Sequence, residues 1–97
     1  MTSANLLNVR ELVLDSTKSF EDEVAIEDAE VIERVDADGS PTLLIKLRAE
    51  PHQTGRKWTE TRFRISQRIR DELLQIGDSR YPILAMYSER EWQDRDR

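Results

Sequence analysis

The segment of residues 36–41, DADGSP, separates two runs of alternating side chains and predicts a tight turn. The Asp38-Gly39 pair suits the positive φ of such a turn, and Pro41 ends the loop because proline lacks the donor that a strand interior needs. Residues 23–36 and 42–48 alternate with the period of two that is typical of β-strands. We therefore predict a β-hairpin.

The two strands of this hairpin differ in how regular they are. Glu33 interrupts what would otherwise be an apolar side of the first strand. This irregularity predicts a β-bulge, or a separate short strand around residues 24–26. The second strand alternates cleanly, and the side that we expect to face the core carries Leu43, Ile45 and Leu47.

Helical periodicity predicts two helices before residue 78. The first covers residues 3–19, with Ser3 as its N-cap. The second covers residues 67–76, with Ser66 as the N-cap and Gly77 as the C′ residue.

Between the hairpin and the second helix, residues 57–65 alternate in the manner of a third strand. One side would face the core, which leaves the other side free to recognise a partner. The core side carries Thr59, Thr61, Phe63 and Ile65, and the free side carries Trp58, Glu60, Arg62 and Arg64.

The C-terminal part of the sequence predicts a fourth strand and a short helix. Residues 81–87 are almost all apolar, so we expect a central strand or one buried on both faces. Ser88 and Glu91 have the spacing of a capping box, which predicts a short helix around Trp92. Residues 93–97 are expected to fray.

Together these elements predict an α+β fold in the order helix, three strands, helix, strand, short helix. The simplest arrangement is a mostly antiparallel four-stranded sheet with the helices on one face. A chain of 97 residues is the length of a single domain, so we assign residues 1–97 to one domain.

Composition excludes several classes of protein. The chain has no cysteine, which rules out disulfides, thiolate catalysis and iron–sulfur clusters. No apolar run approaches the roughly 20 residues of a membrane span, and the N-terminus does not resemble a signal peptide. We therefore expect no membrane association and place the protein in the cytoplasm.

The chain contains residue types that are common in active sites, but not at the spacing that a catalytic or metal site requires. The lone histidine, His52, lies in a predicted loop with nothing to orient it. Aligning Gly39 with the invariant glycine of a calcium loop puts Arg34 and Ile45 at ligand positions. The acids of residues 21–33 favour a solvated or partner-facing surface, with magnesium binding as the alternative. We predict no enzyme activity and no cofactor.

Charge is unevenly distributed along the chain. Residues 1–50 carry five basic and 12 acidic side chains, a net charge of −7, and residues 51–97 carry ten basic and eight acidic ones, a net charge of +2. Residues 56–70 hold six cations and one acid, although the whole chain has a net charge of −5. A basic stretch in an acidic chain calls for a partner of opposite charge.

Three interpretations of the basic stretch remain open. The arginines could pair with the acidic first strand inside the sheet. They could instead form the rim of a protein-binding surface with an aromatic anchor, or contact phosphates while the aromatic ring stacks on a base. The candidate partner-binding residues are Trp58, Arg62, Arg64 and Arg68.

The sequence therefore favours a small acidic, non-enzymatic module that binds another protein, such as an adaptor, a chaperone-like protein or an inhibitor. The alternative is an RNA- or DNA-binding protein that uses the third strand and the start of the second helix. Tyr87 and Trp92 are expected to pack on the core or the first helix, with a homodimer contact as the competing role. The edges of the sheet also offer sites for strand addition.

Overall fold

The computed structural model describes residues 4–95, and these form three α-helices, one 3₁₀ turn and three β-strands. The predicted N-cap Ser3 and the last two residues of the predicted tail lie outside the described residues. In chain order the elements are α1 (Leu6–Thr17), the 3₁₀ turn (Lys18–Phe20), β1 (Val24–Val35), β2 (Pro41–Pro51), α2 (Gly55–Gln75), β3 (Tyr81–Tyr87) and α3 (Glu89–Asp94).

The predicted hairpin is confirmed, since β1 and β2 pair antiparallel around the expected turn. Gly39 has a φ of 84°, in the left-handed region that glycine adopts without strain. The Asp36 carboxylate accepts hydrogen bonds from the backbone N–H groups of Asp38 and Ser40, each at 2.9 Å. The turn is therefore held by its own side chain as well as by the flanking strands.

One side of this hairpin packs on α1 and α2 and forms the core. The register shifts between Ile26 and Asp28, so β1 contains a bulge as predicted, but Glu33 lies beyond it and remains on the core side opposite Leu43. The β2 residues that we expected to face the core are fully buried, and the helices supply the opposite wall. The principal side chains are Leu43, Ile45 and Leu47 from the sheet and Val9, Val13, Ile65, Ile69 and Leu73 from the helices.

The predicted third strand is wrong, because residues 57–65 belong to α2, which runs unbroken from Gly55 to Gln75. Its buried residues are four apart, which is the spacing of one helix face and cannot be satisfied by a strand. Phe63 was assigned to the core and is 65% exposed. Ser66 is an interior residue of the helix, whereas Gly77 follows its end with a φ of 80°, as expected for the C′ position.

The predicted four-stranded, mostly antiparallel sheet is also wrong. The described residues form a three-stranded mixed sheet in the order β1-β2-β3, with β3 parallel to β2. Two neighbouring parallel strands need a long crossover, and α2 supplies it. β3 is thus a partly exposed edge strand, neither the central strand nor the strand buried on both faces that its apolar sequence indicated. The α+β class itself is confirmed.

The helices lie on both faces of the sheet, which corrects the prediction of one covered face. Arg48 alternates with the core residue Leu47 on β2 and points to the opposite face, where its guanidinium lies 3.3 Å from the Glu89 carboxylate of α3. On this face Trp92 packs edge-on against Tyr87, with ring centroids 6.0 Å apart and an interplanar angle of 73°. Both aromatic residues are therefore engaged within the chain.

A buried ion pair explains why Glu33 interrupts the apolar side of β1. The Arg80 guanidinium donates to both carboxylate oxygens of Asp78, at 3.0 and 2.6 Å, and also to the Glu33 carboxylate. The same two residues hold the chain before α1, because Arg80 donates to the Ala4 carbonyl and Asp78 accepts from the Ala4 N–H. The cluster ties β1, the loop before β3 and the start of α1 together.

The predicted capping box is confirmed: Ser88 accepts a hydrogen bond from the Glu91 N–H, and Glu91 accepts one from the Ser88 N–H. We expect Ser88→Ala to lower the free energy of unfolding by about 1 kcal/mol, measured by urea denaturation. The control is Ser79→Ala, since no side-chain hydrogen bond of Ser79 occurs within residues 4–95. Equal losses in both variants would contradict a capping role.

Candidate functional site

The four candidate residues lie on α2 but do not share a face. An α-helix turns by about 100° per residue, so side chains four apart lie close together and side chains two apart point in nearly opposite directions. Trp58 and Arg62 therefore share one side of α2, and Arg64 and Arg68 share the other. The single recognition face predicted from the alternating pattern does not exist.

Arg64 and Arg68 are engaged in contacts within the chain. Arg64 forms an ion pair with Glu23, and its guanidinium lies 5.7 Å from the centroid of the Phe20 ring. Arg68 pairs with Glu72 one turn further along α2, at 2.9 Å. Both side chains remain about half exposed, so these pairs contribute modestly to stability.

Glu23 links the acids of residues 21–33 to the basic stretch of residues 56–70. Its Oε2 accepts a hydrogen bond of 2.7 Å from the Thr61 hydroxyl. This bond, followed by the bond and charge of Arg64, lowers the pKa of Glu23. The contact joins the start of β1 to α2, so the charge pairing expected between neighbouring strands occurs instead between the sheet and a helix.

The other two candidates lie toward β3. Trp58 is half-buried and packs against the core, so its ring is not free to act as an exposed anchor. Arg62 is exposed and lines a groove between α2 and β3, which we call the α2–β3 groove. The groove has a volume of about 230 Å³, with lining residues Thr59, Arg62, Phe63, Ser66, Leu84 and Met86.

Apolar side chains on this groove are only partly covered. Leu84 and Met86 alternate along β3 on the face covered by the helix, yet both remain half-buried. Phe63 projects beside them from α2, with 65% of its surface exposed. An exposed phenylalanine next to partly exposed aliphatic residues forms an apolar patch of the kind that binds a partner.

Two cations beside the groove lack an acidic partner within the described chain. Neither Arg62 nor Arg70 forms an ion pair with any residue from 4 to 95. Arg70 instead lies over the Tyr81 ring at the start of β3, 5.2 Å from its centroid. One unpaired cation thus lines the groove and a second lies at the start of β3, in a chain whose net charge is −5.

The two edges of the sheet are protected to different degrees. The edge of β1 carries several charges and a bulge, and the Arg10 side chain donates to the Ala29 carbonyl at 2.9 Å. These are the features by which natural proteins block strand addition. β3 has no charged residue, its only such feature is Pro82, and no strand within residues 4–95 pairs with its outer edge.

Comparison with protein-family models, with curated proteins and with solved structures found no match. The surface formed by α2 and β3 therefore has to be interpreted from its own chemistry. It combines an open groove of mixed polar and apolar lining, unpaired cations and a free strand edge.

Three observations on residues 4–95 concern other functional classes. No helix there is long and apolar enough to cross a membrane. No group of three or more histidine, aspartate or glutamate side chains in that range is placed to hold a metal ion. His52 is exposed, with its Nδ1 3.4 Å from the Asp22 carbonyl oxygen.

A larger groove, of about 620 Å³, lies between α1 and the start of β1. Its lining includes Glu11, Asp15 and Glu21, and Lys18 is already paired with Asp15 at 3.1 Å. None of the candidate residues lines it. Because the adjoining β1 edge is protected, we regard the α2–β3 groove as the stronger candidate site.

Sequence reasoning identified Arg62 but missed the apolar part of the site. Phe63 was placed in the core because residues 57–65 were treated as a strand. The four-residue spacing of Ile65, Ile69 and Leu73 was visible, and extending it back to Trp58 would have placed Phe63 outside. Pro82 is the one sequence signal that residues 81–87 form an edge strand, because proline cannot donate to the ladder of a central strand.

Proposed function

We propose that this chain is a non-enzymatic, cytoplasmic protein-interaction module of the adaptor, chaperone-like or inhibitor type, which binds another protein through the α2–β3 groove. The observation that carries the proposal is the exposure of Phe63 beside an uncharged, unpaired strand edge. Covering a fully exposed phenylalanine side chain contributes about 1.5–3 kcal/mol. Most of the Phe63 surface is still exposed, so it can act as an anchor of an interface. Arg62 and Arg70 would form its charged rim.

RNA or DNA binding is the second candidate, and a specific set of side chains supports it. Four cations of α2 form no ion pair within residues 4–95. They are Arg56 and Lys57 in the first turn, and Arg62 and Arg70 further along. These four cations are spread around the helix, however, and the chain is acidic overall. Nucleic-acid-binding domains usually combine a basic patch with a basic overall charge, so we favour a protein partner.

The proposal is tested by site-specific photocrosslinking in the source cells. We expect a chain with p-benzoylphenylalanine in place of Phe63 to give a discrete adduct with another protein, because this side chain projects at the groove. The matched control carries the same group in place of Lys57, which is exposed and lies six residues before Phe63, on the other side of α2. It should give no such adduct.

Three outcomes would contradict the proposal. These are equal labelling from the two positions, no adduct from either, and an adduct between two copies of this chain alone. A crosslink from position 63 to nucleic acid would favour the second candidate instead.

A further inference from the structure

We propose that the partner contributes an extended, acidic segment that adds to the sheet as a fourth strand along the free edge of β3. This inference rests on the proposed protein-binding function and specifies how the partner is recognised. It draws on three observations: the unpaired edge, the apolar side chains on both faces of that edge, and the unpaired cations beside it.

The backbone of β3 provides the first contact. All seven residues, Tyr81–Tyr87, pair with β2 in parallel register. In a strand, the backbone groups of alternate residues point to opposite sides, so half of those in β3 point away from β2. An added segment would satisfy them through main-chain hydrogen bonds, which provide affinity without demanding a particular sequence.

Side chains provide the second contact, because an added strand would have apolar neighbours on both faces. On the groove face its residues would lie beside Leu84 and Met86 and reach toward Phe63. On the opposite face they would lie beside Tyr81 and Ile83, which are about half exposed. The partner segment is therefore expected to carry apolar residues at several positions on each side.

Charge selects an acidic segment over a basic one. Arg62 stands on the α2 wall of the groove, and Arg70 stands over Tyr81 where β3 begins. A carboxylate near the end of the partner segment would be within the reach of one of these cations. Such rim contacts mainly determine which partner is selected and how quickly it associates.

The same charges disfavour a second copy of this chain as the occupant. Antiparallel pairing of two β3 strands about a two-fold axis would place Tyr81 of one copy opposite Tyr87 of the other. Arg70 lies at the Tyr81 end, and Arg62 lines the groove with Met86 near the other end. The cations of the two copies would therefore be brought toward one another, which disfavours this pairing.

The probe for this inference is a phage-displayed library of random ten-residue peptides, selected on the purified chain. We expect enrichment of peptides with net negative charge and apolar residues at alternating positions. Reversing the groove charges with Arg62→Glu and Arg70→Glu should weaken the best synthetic peptide about tenfold. The control variant, Lys57→Glu with Arg68→Glu, makes the same charge change on the other side of α2 and should alter affinity less than twofold.

N-methylation of that peptide tests the strand addition itself. Methylating the amides of one alternating set of residues should abolish binding, and methylating the other set should preserve it, because only one set faces β3. Equal tolerance of both sets, no enrichment of acidic peptides, or a chain that already dimerises through β3 would overturn the inference. If any of these results were found together with a protein crosslink at position 63, the proposed protein binding would be retained and strand addition alone would be rejected.

Discussion

Replacing Arg80 with alanine is expected to lower the free energy of unfolding by about 3–5 kcal/mol. The side chains of Arg80 and Asp78 are 4% and 0% exposed, so the substitution leaves a buried carboxylate without its partner. It also removes the hydrogen bond to the Ala4 carbonyl and the ion pair with Glu33. Domains of this size typically have a free energy of unfolding of about 5–15 kcal/mol, so this loss could leave the variant partly unfolded. Urea denaturation should therefore be measured at low temperature, where the variant is expected to be folded before urea is added.

Two further variants separate burial from charge in this prediction. Arg68→Ala removes an exposed ion pair within α2 and should cost less than about 0.5 kcal/mol. Combining Arg80→Met with Asp78→Asn removes both buried charges, and the double variant should be more stable than the sum of the single losses predicts. Additive losses would show that the two side chains are not coupled.

The pH dependence gives an independent test of the same pair. The bonds from Arg80 lower the pKa of Asp78 in the folded state, below the value of about 3.9 for an unfolded chain. A lowered pKa contributes stability that is present above the unfolded value and lost as pH falls through the folded value. Without Arg80, burial should raise the pKa of Asp78 instead, so the stability difference between wild type and Arg80→Ala should be largest near pH 7 and shrink toward pH 3.

The hairpin could be predicted because the interactions that form it are local. The Asp36 carboxylate bonds the backbone of its own turn, and Gly39 supplies the positive φ that the turn requires. The capping box at Ser88 is local in the same sense. Each of these features lies within a few residues of sequence and depends little on the remainder of the fold.

The prediction of a third strand was wrong because residues 57–65 fit both the period of a strand and that of a helix. The stretch alternates, and it contains tryptophan, threonine and phenylalanine, which favour strands. The helical pattern becomes decisive only when the residues that follow are included, since Ile69 and Leu73 continue the spacing set by Ile65. Once this stretch is helical, β2 and β3 are joined by a helix and pair in parallel.

The candidate site was predicted only in part because its members come from distant parts of the chain. Arg64 meets Glu23 across 41 residues of sequence, a contact that no local pattern reveals. Arg62 was selected for its charge, which a sequence does display. The sheet order, which a sequence does not display, decides that Leu84 and Met86 lie at an edge and beside Phe63.

Replacing Trp92 with alanine is the second change from which we expect a loss of about 3–5 kcal/mol. The Trp92 side chain is 5% exposed, stacks edge-on with Tyr87 and lies under the Arg95 guanidinium, 3.8 Å from the ring centroid. It anchors α3 to the face of the sheet opposite the main core. Its removal should expose Tyr87, which would appear as increased binding of a hydrophobic dye together with a lower urea midpoint.

Phe63→Ala is the matched control for this loss, because it truncates an aromatic residue that is 65% exposed. It should cost less than about 0.5 kcal/mol, since little buried area is lost. The comparison also bears on the proposed function. An aromatic side chain that contributes little to folding is free to contribute to binding, whereas a loss near that of Trp92→Ala would make Phe63 a structural residue and remove the anchor from the α2–β3 groove.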